Sequence, residues 1–284
     1  MAKPDLKVGL ALAGGVGHCM AHVGVLRVLE RAGIPIHSVA GTSGGALVGC
    51  LFCAGKSVAE LVEISHRIGW KRLGSLALFS SKGLASSDPI SRFVSRMISP
   101  KSHFSDLDRS FAAAGTDLLT GETVIFKDDA CPVAEAVRIS CNIPMVYTPV
   151  EHNGCLLVDG GVSDPLPVDA ARTLGPEVVI AVTLRHRPKE LRNLLEVGMQ
   201  MLDVTTASLM KLAKEKADYA IEVDVGTTDK WDLKQAERLI ALGEAAGERA
   251  LPELLALLSY RSSFEYRHLW SPLMKRVGAK AKQK

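Results

Sequence analysis

Gly41-Thr42-Ser43-Gly44-Gly45 fits Gly-x-Ser-x-Gly, the pattern of a strained strand-to-helix turn that presents a serine hydroxyl as a nucleophile. Five residues alone fit an ordinary glycine–serine turn of an α/β protein equally well. The flanks supply the context. Ile36-His37-Ser38-Val39-Ala40 reads as a short strand before the turn, and Ala46-Leu47-Val48-Gly49-Cys50-Leu51-Phe52-Cys53-Ala54 reads as a buried helix after it. Gly41 and Gly45 suit such an elbow because the turn crowds its own backbone and leaves no room for a Cβ.

A second glycine cluster lies upstream. Lys7-Val8-Gly9-Leu10-Ala11-Leu12-Ala13 is a near-continuous apolar run, as expected of a strand covered on both faces. It ends in Gly14-Gly15-Val16-Gly17-His18, and Met20, Val23, Leu26, Val28 and Leu29 then form a helical apolar stripe. Glycines between a strand end and a helix start leave backbone N–H groups open, backed by the positive end of the helix dipole. Such a loop binds phosphate or stabilises the oxyanion of an acyl transfer. The dinucleotide fingerprint fails, because from Gly15 the third glycine would fall at Met20. The P-loop fails for want of Gly-Lys-Ser/Thr. An oxyanion loop formed from Gly14, Gly15, Val16 and Gly17 is the better use.

A third cluster, Leu156-Leu157-Val158-Asp159-Gly160-Gly161-Val162, places a carboxylate at the end of an apolar strand, with two glycines behind it. Asp-Gly is also a common turn. Strand C-termini share one edge of an open parallel sheet. On that ground Ser43, Asp159 and the Gly14-Gly15 loop are expected to converge.

The order of these clusters resembles the patatin-like phospholipases, serine lipid acyl hydrolases that include the catalytic domain of neuropathy target esterase. The resemblance spans roughly residues 6–225. It runs through Leu10-Ala11-Leu12, Gly14-Gly15, Ala21-His22-Val23-Gly24-Val25-Leu26, the Ser43 elbow, Thr116-Asp117-Leu118-Leu119-Thr120-Gly121-Glu122, Ile143-Pro144, Val158-Asp159-Gly160-Gly161 and Leu166-Pro167. It implies a three-layer α/β/α fold around a mainly parallel sheet, with Ser43 as nucleophile and Asp159 as its dyad partner. Gly14 and Gly15 then open the oxyanion loop, and Gly160, Gly161 and His18 support the site. The family pattern has three glycines, any residue, a basic residue, then glycine. Here Val16 replaces the third glycine, His18 stands at the basic position and Cys19 at the last glycine. A β-branched residue resists positive φ, so the turn is expected to pass to Gly17.

Two alternatives accompany the dyad. One is a Ser43–Asp159–His186 esterase, since His186 follows the apolar strand Val178–Leu184. The other is a lipid-binding member with weak catalysis, suggested by Val16, His18 and Cys19. Ser140 and Ser163 lie near the catalytic segments but lack an elbow.

Composition agrees with a single α/β domain. The chain has 284 residues, 47% of them hydrophobic and only 5% aromatic, so a core of Val, Leu, Ile and Ala is available. No apolar run approaches the ~20 residues of a membrane span, and Met1-Ala2-Lys3-Pro4-Asp5 is not a signal peptide. A cytoplasmic protein is expected, with peripheral contact at the inner membrane face. The six cysteines are then expected as reduced thiols. Cys50-Leu51-Phe52-Cys53 lies mid-helix in apolar surroundings, where buried thiols are ordinary. No metal or cofactor is implied.

The coarse pattern gives helices over 58–68, 89–97, 132–139, 191–217 and 233–258, and strands over 111–119, 123–126, 178–184 and 220–225. Residues 70–87, with Trp70, Leu76, Leu78 and Phe79, fit a lid or an inward-packing surface loop. The domain is expected to span 1–258, and 259–284 forms a basic tail. That tail holds Arg261, Arg267, Lys275, Arg276, Lys280, Lys282 and Lys284 against Glu265, or +6 in a chain of net +3. With Phe264, Tyr266 and Trp270 beside them, these charges suit an anionic membrane. A solvated terminus has the same composition. No nucleic-acid-binding motif is present, and the expected partner is a lipid ester substrate.

Overall fold

The computed structural model describes residues 6–69, 75–76, 85–187, 191 and 193–263. β1 (Val8–Leu12) is buried at every position. A 3-10 turn over Val16–Cys19 leads into α1 (Met20–Arg31). β2 (Ile36–Thr42) delivers Ser43, and α2 (Gly44–Cys53) begins at the next residue and is buried throughout. α3 (Val58–Arg67) opens with a capping box in which Ser57 and Glu60 satisfy each other's amides. A short ladder pairs β3 (Ser75–Leu76) with β4 (Ala85–Ser86). Then come α4 (Asp88–Ile98), β5 (Ser110–Asp117), β6 (Thr123–Phe126), α5 (Val133–Ser140), β7 (Val150–His152) and β8 (Cys155–Asp159). α6 (Val168–Thr173), β9 (Val178–His186), α7 (Leu194–Lys216), β10 (Tyr219–Gly226) and α8 (Ala236–Ser262) complete the order.

The sheet runs β10-β9-β1-β2-β5-β8-β7, with β6 also on β5. From β10 to β5 every pairing is parallel. β8, β7 and β6 are antiparallel additions at the β5 end. Side-chain alternation divides the core between two faces. Leu10 and Leu12 of β1 join a large cluster with α1, α2 and α8, whereas Ala11 and Ala13 join a second with α6 and α7. The sheet is therefore the middle of three layers. α1 and α8 approach most closely where Gly24 meets Gly243; a Cβ on either would overlap the other helix's backbone.

The boundary expected at 258 falls inside α8, which continues to Ser262. Arg261 reaches back to Asp218 at 2.7 Å, so one of the seven tail cations belongs to the domain. The other six lie outside the described residues, as do Trp70, Leu78 and Phe79 of the lid segment. Among the described residues no helix is long and apolar enough to cross a membrane.

Candidate active site

β2 and α2 force Ser43 into a left-handed conformation, φ 54° and ψ −126°. A residue with a side chain pays about 1–3 kcal/mol there, and the surroundings hold it. The Ser43 amide donates to Ser140 Oγ (2.9 Å), and Thr42 Oγ1 donates to the Asp164 carbonyl (2.8 Å). Leu47 N donates to the Ser43 carbonyl at 3.1 Å, which starts the helix. The elbow closes only on glycines: a Cβ on Gly41 would stand 2.5 Å from Ala46 N and the Gly45 carbonyl.

Asp159 reaches Ser43 by a route the sequence did not suggest. β8 runs antiparallel to β5, so Asp159 does not share the C-terminal edge by strand direction. The ladder of β8 with β5 is confined to Gly115–Asp117, the last residues of β5, and this offset leaves Asp159 beside the elbow. Its backbone is fixed by Asn142 O, which accepts from Asp159 N (3.0 Å), and by Thr116 Oγ1, which donates to Asp159 O (3.0 Å). The carboxyl is 6% exposed. Oδ1 accepts from Gly161 N at 2.7 Å, while Oδ2 is buried with no hydrogen-bond partner. Burial raises its pKa to about 6 against the lowering pull of the Ser43 hydroxyl and the Gly161 amide. The hydroxyl is close enough to pull on the carboxyl, but a hydrogen bond of good geometry does not close between them in the free protein.

The glycine loop divides its amides. Gly14 N donates to Pro165 O (3.2 Å), Gly17 N to Lys230 O (3.1 Å) and His18 N to Gly15 O (3.0 Å). Among the described residues the Gly15 and Val16 amides have no acceptor. Gly44, the first residue of α2, also has a free amide, because a helix's first N–H groups lack an intrahelical partner. Sequence reading had not named it as a donor. Val16 itself takes the positive φ, 50°; the turn does not pass to Gly17. Gly14 lies directly beneath Ser43, where a Cβ would come 3.3 Å from Ser43 Cβ.

His18 is no substitute for a basic residue. It is buried, its Nε2 meets Thr228 O and Oγ1 at 3.1 Å, and burial lowers its pKa to about 4. The neutral ring props the loop against the segment after β10. Cys19 is buried as well, with its thiol pushed up to about 12, and burial likewise raises Cys50 and Cys53.

Two spaces meet at Ser43. A cavity of about 460 Å³ includes Gly15, Asp159, His186, Asp203 and Lys230 in its walls. A narrow apolar slot of about 60 Å³ lies on the other side, between Cys19, Leu47, Ile90, Ile143 and Tyr147. His186 does not complete a triad. Its Nε2 lies 3.5 Å from Asp203 Oδ2, which also holds Lys230 Nζ at 2.8 Å, and it hydrogen-bonds neither Ser43 nor Asp159. Burial lowers its pKa, while Asp203 raises it and Lys230 lowers it further. Ser140 is occupied by the Ser43 amide, and Ser163 Oγ by Thr116 and Thr123 hydroxyls (2.9 and 2.7 Å).

An α/β/α sheet with a serine elbow at one edge defines a hydrolase-type scaffold. Residues 10–172 match the family model of the patatin-like phospholipases, and the chain belongs to that family. It is 34% identical over 186 residues to an uncharacterised NTE-family protein of Mycobacterium tuberculosis, covering 63% of this chain and 49% of that one. It is 30% identical over 223 residues to the uncharacterised protein YqhO of Bacillus subtilis, covering 66% and 76%. Mouse patatin-like phospholipase domain-containing protein 6 is 28% identical over 184 residues, covering 62% and 13%. The chain spans about half the length of the mycobacterial relatives it matches. The fold is shared with VipD of Legionella pneumophila at TM-score 0.63 and 14% identity, covering 88% of this chain and 67% of that one. It is also shared with ExoU of Pseudomonas aeruginosa at 0.54 and 16%, covering 90% and 53%.

Proposed function

We propose that the chain is a serine acyl-ester hydrolase acting on phospholipids, lysophospholipids or simpler lipid esters through a Ser43–Asp159 dyad. Family membership implies lipid acyl hydrolysis. The observation that carries the dyad is the buried Asp159 Oδ2, without a partner, beside a serine held at φ 54°. An unpaired buried carboxylate oxygen is costly, and a serine hydroxyl brought into line by bound substrate satisfies it.

In this reading Ser43 Oγ attacks the ester carbonyl as Asp159 takes its proton. The negative charge that develops on the carbonyl oxygen meets the open amides of Gly15 and Val16, with Gly44 at the helix N-terminus behind Ser43. The leaving alcohol takes the proton back from Asp159. Water then attacks the acyl-serine as Asp159 accepts its proton, and Asp159 returns that proton to Ser43 Oγ as the C–Oγ bond breaks and the acid departs. A carboxyl with its pKa near 6 is a better base than an ordinary aspartate, yet still ionised at neutral pH. The apolar slot suits an acyl chain, and the larger cavity, with Lys230 and His186 in its wall, suits the alcohol or headgroup.

Labelling with a fluorophosphonate probe tests the assignment. The intact protein is expected to label and Ser43→Ala is not. Equal labelling, or undiminished ester turnover by Ser43→Ala, would show that the nucleophile lies elsewhere.

A further inference from the structure

α7 is apolar on two sides. Its inner side contributes Met199, Leu202 and Met210 to the cavity that opens on Ser43. Its outer side carries Leu194, Val197, Met201, Val204 and Leu212, and three of these, Leu194, Met201 and Val204, are 87%, 65% and 65% exposed. Their spacing places all five on one stripe of the helix. The charged residues between 194 and 212 are Glu196, Asp203 and Lys211. All three fall off that stripe, and Asp203 turns to Lys230. Met145, exposed and held at φ 68°, extends the apolar area: a Cβ on Gly198 would come 2.9 Å from its sulfur. Arg185 and Arg187, before the helix, are paired with Glu222 and Asp224 of β10, so what this face offers is its apolar side chains. A contiguous apolar stripe exposed to water marks a contact surface.

We propose that the outer face of α7 is where the protein docks on a phospholipid bilayer, with the helix at the headgroup–acyl boundary and the cavity mouth open to the lipid. This rests on the lipid-ester reading above. A bilayer is favoured over a second copy of the chain by the position of the cavity. The same helix forms a wall of the cavity, so a bilayer on its outer side brings substrate to the mouth, whereas a protein sealing this face would obstruct it. The arrangement is that of an interfacial helix, with apolar residues along one exposed side.

The test is co-sedimentation of the full-length chain with vesicles of phosphatidylcholine and phosphatidylglycerol at high salt, which screens the charges after residue 258. Neither Met201 nor Val204 lines the cavity. Met201→Glu with Val204→Glu is therefore expected to weaken vesicle binding at least about tenfold and to leave soluble-ester turnover unchanged. Met201→Gln with Val204→Thr, a milder change at the same positions, should weaken binding in the same direction and replaces the first variant if that fails to fold. Unchanged binding in a folded variant overturns the proposal. So does a dimer in light scattering that the same substitutions dissolve, because the face would then belong to a second copy. Absence of ester turnover in the unmodified chain, with vesicle binding intact, would instead count against the hydrolase reading alone.

Discussion

Asp159→Asn should make the protein inactive and more stable, and the gain should depend on pH. Burial moves the Asp159 carboxyl from its ordinary 3.8 to about 6, equivalent to about 3 kcal/mol between its protonation states. The folded-state pKa lies above the unfolded one, so the folded protein binds the proton more tightly. The stability this contributes is full below the unfolded value and is lost as pH rises from about 4 through about 6. Asparagine keeps an oxygen for Gly161 N and never ionises. Its advantage over the native residue should therefore be small at about pH 4 and grow toward about 3 kcal/mol at about pH 8. Asp164 is also pushed to about 6 by burial. It titrates in both proteins and cancels in the difference. Urea unfolding of both proteins across this range gives the free energies, and turnover of a soluble chromogenic ester gives the activity. The native rate should rise with pH through about 6 and then level, because the base must be ionised. The variant should lose on the order of 10²–10⁴-fold. A stability difference independent of pH would refute the raised pKa, and a variant turning over within a few-fold of native would refute the dyad.

His186→Ala should keep turnover within a few-fold and retain the rise through about pH 6 that belongs to Asp159; loss of that rise would favour a triad. Ser140→Ala leaves the buried Ser43 amide without its acceptor. It should cost about 1–3 kcal/mol in unfolding and lower kcat more than it raises KM. Val16→Gly preserves the open amide and should leave ester turnover within a few-fold, whereas His18→Arg buries a cation near Lys230 and should unfold at clearly lower urea. A chain ending at Ser263 keeps the Arg261–Asp218 pair. It should hydrolyse soluble esters normally while losing the salt-sensitive part of its binding to acidic vesicles, as measured by sedimentation.

The sequence was most legible where one residue type answers one local demand. Gly41 and Gly45 are required by an elbow with no room for a Cβ, so Ser43 could be placed from five letters and their flanks. β1, covered on both faces, read as a strand because every residue from Val8 to Leu12 is apolar or glycine. Legibility failed where tertiary contacts overrode local preference. Val16 adopts a positive φ against its β-branched character because the loop is clamped on both sides, by Gly14 N on Pro165 and Gly17 N on Lys230. Both carbonyls are distant in sequence. His18 looked like a weakened cation, but burial keeps it neutral, and the Thr228 it meets lies 210 residues away. The direction of β8 was equally hidden. A strand ending in Asp-Gly-Gly has the same composition in either orientation, and only its pairing with the last residues of β5 decides where the carboxylate lands.

The antiparallel strand also bears on how an aspartate can serve as the base. Ser43 ends a parallel strand and Asp159 an antiparallel one, and the two are equally buried, each 6% exposed. Entering from the opposite direction, Asp159 pairs with Gly115 inside the sheet and is shielded beneath the elbow. That shielding is the first cause of its raised pKa. Thr116 and Asn142 hold its backbone, and Gly161 occupies one carboxylate oxygen. The other has no hydrogen-bond partner among the described residues. The same burial that makes Asp159 costly to ionise raises its basicity above that of an ordinary aspartate, which is what the proposed proton transfer from Ser43 draws on.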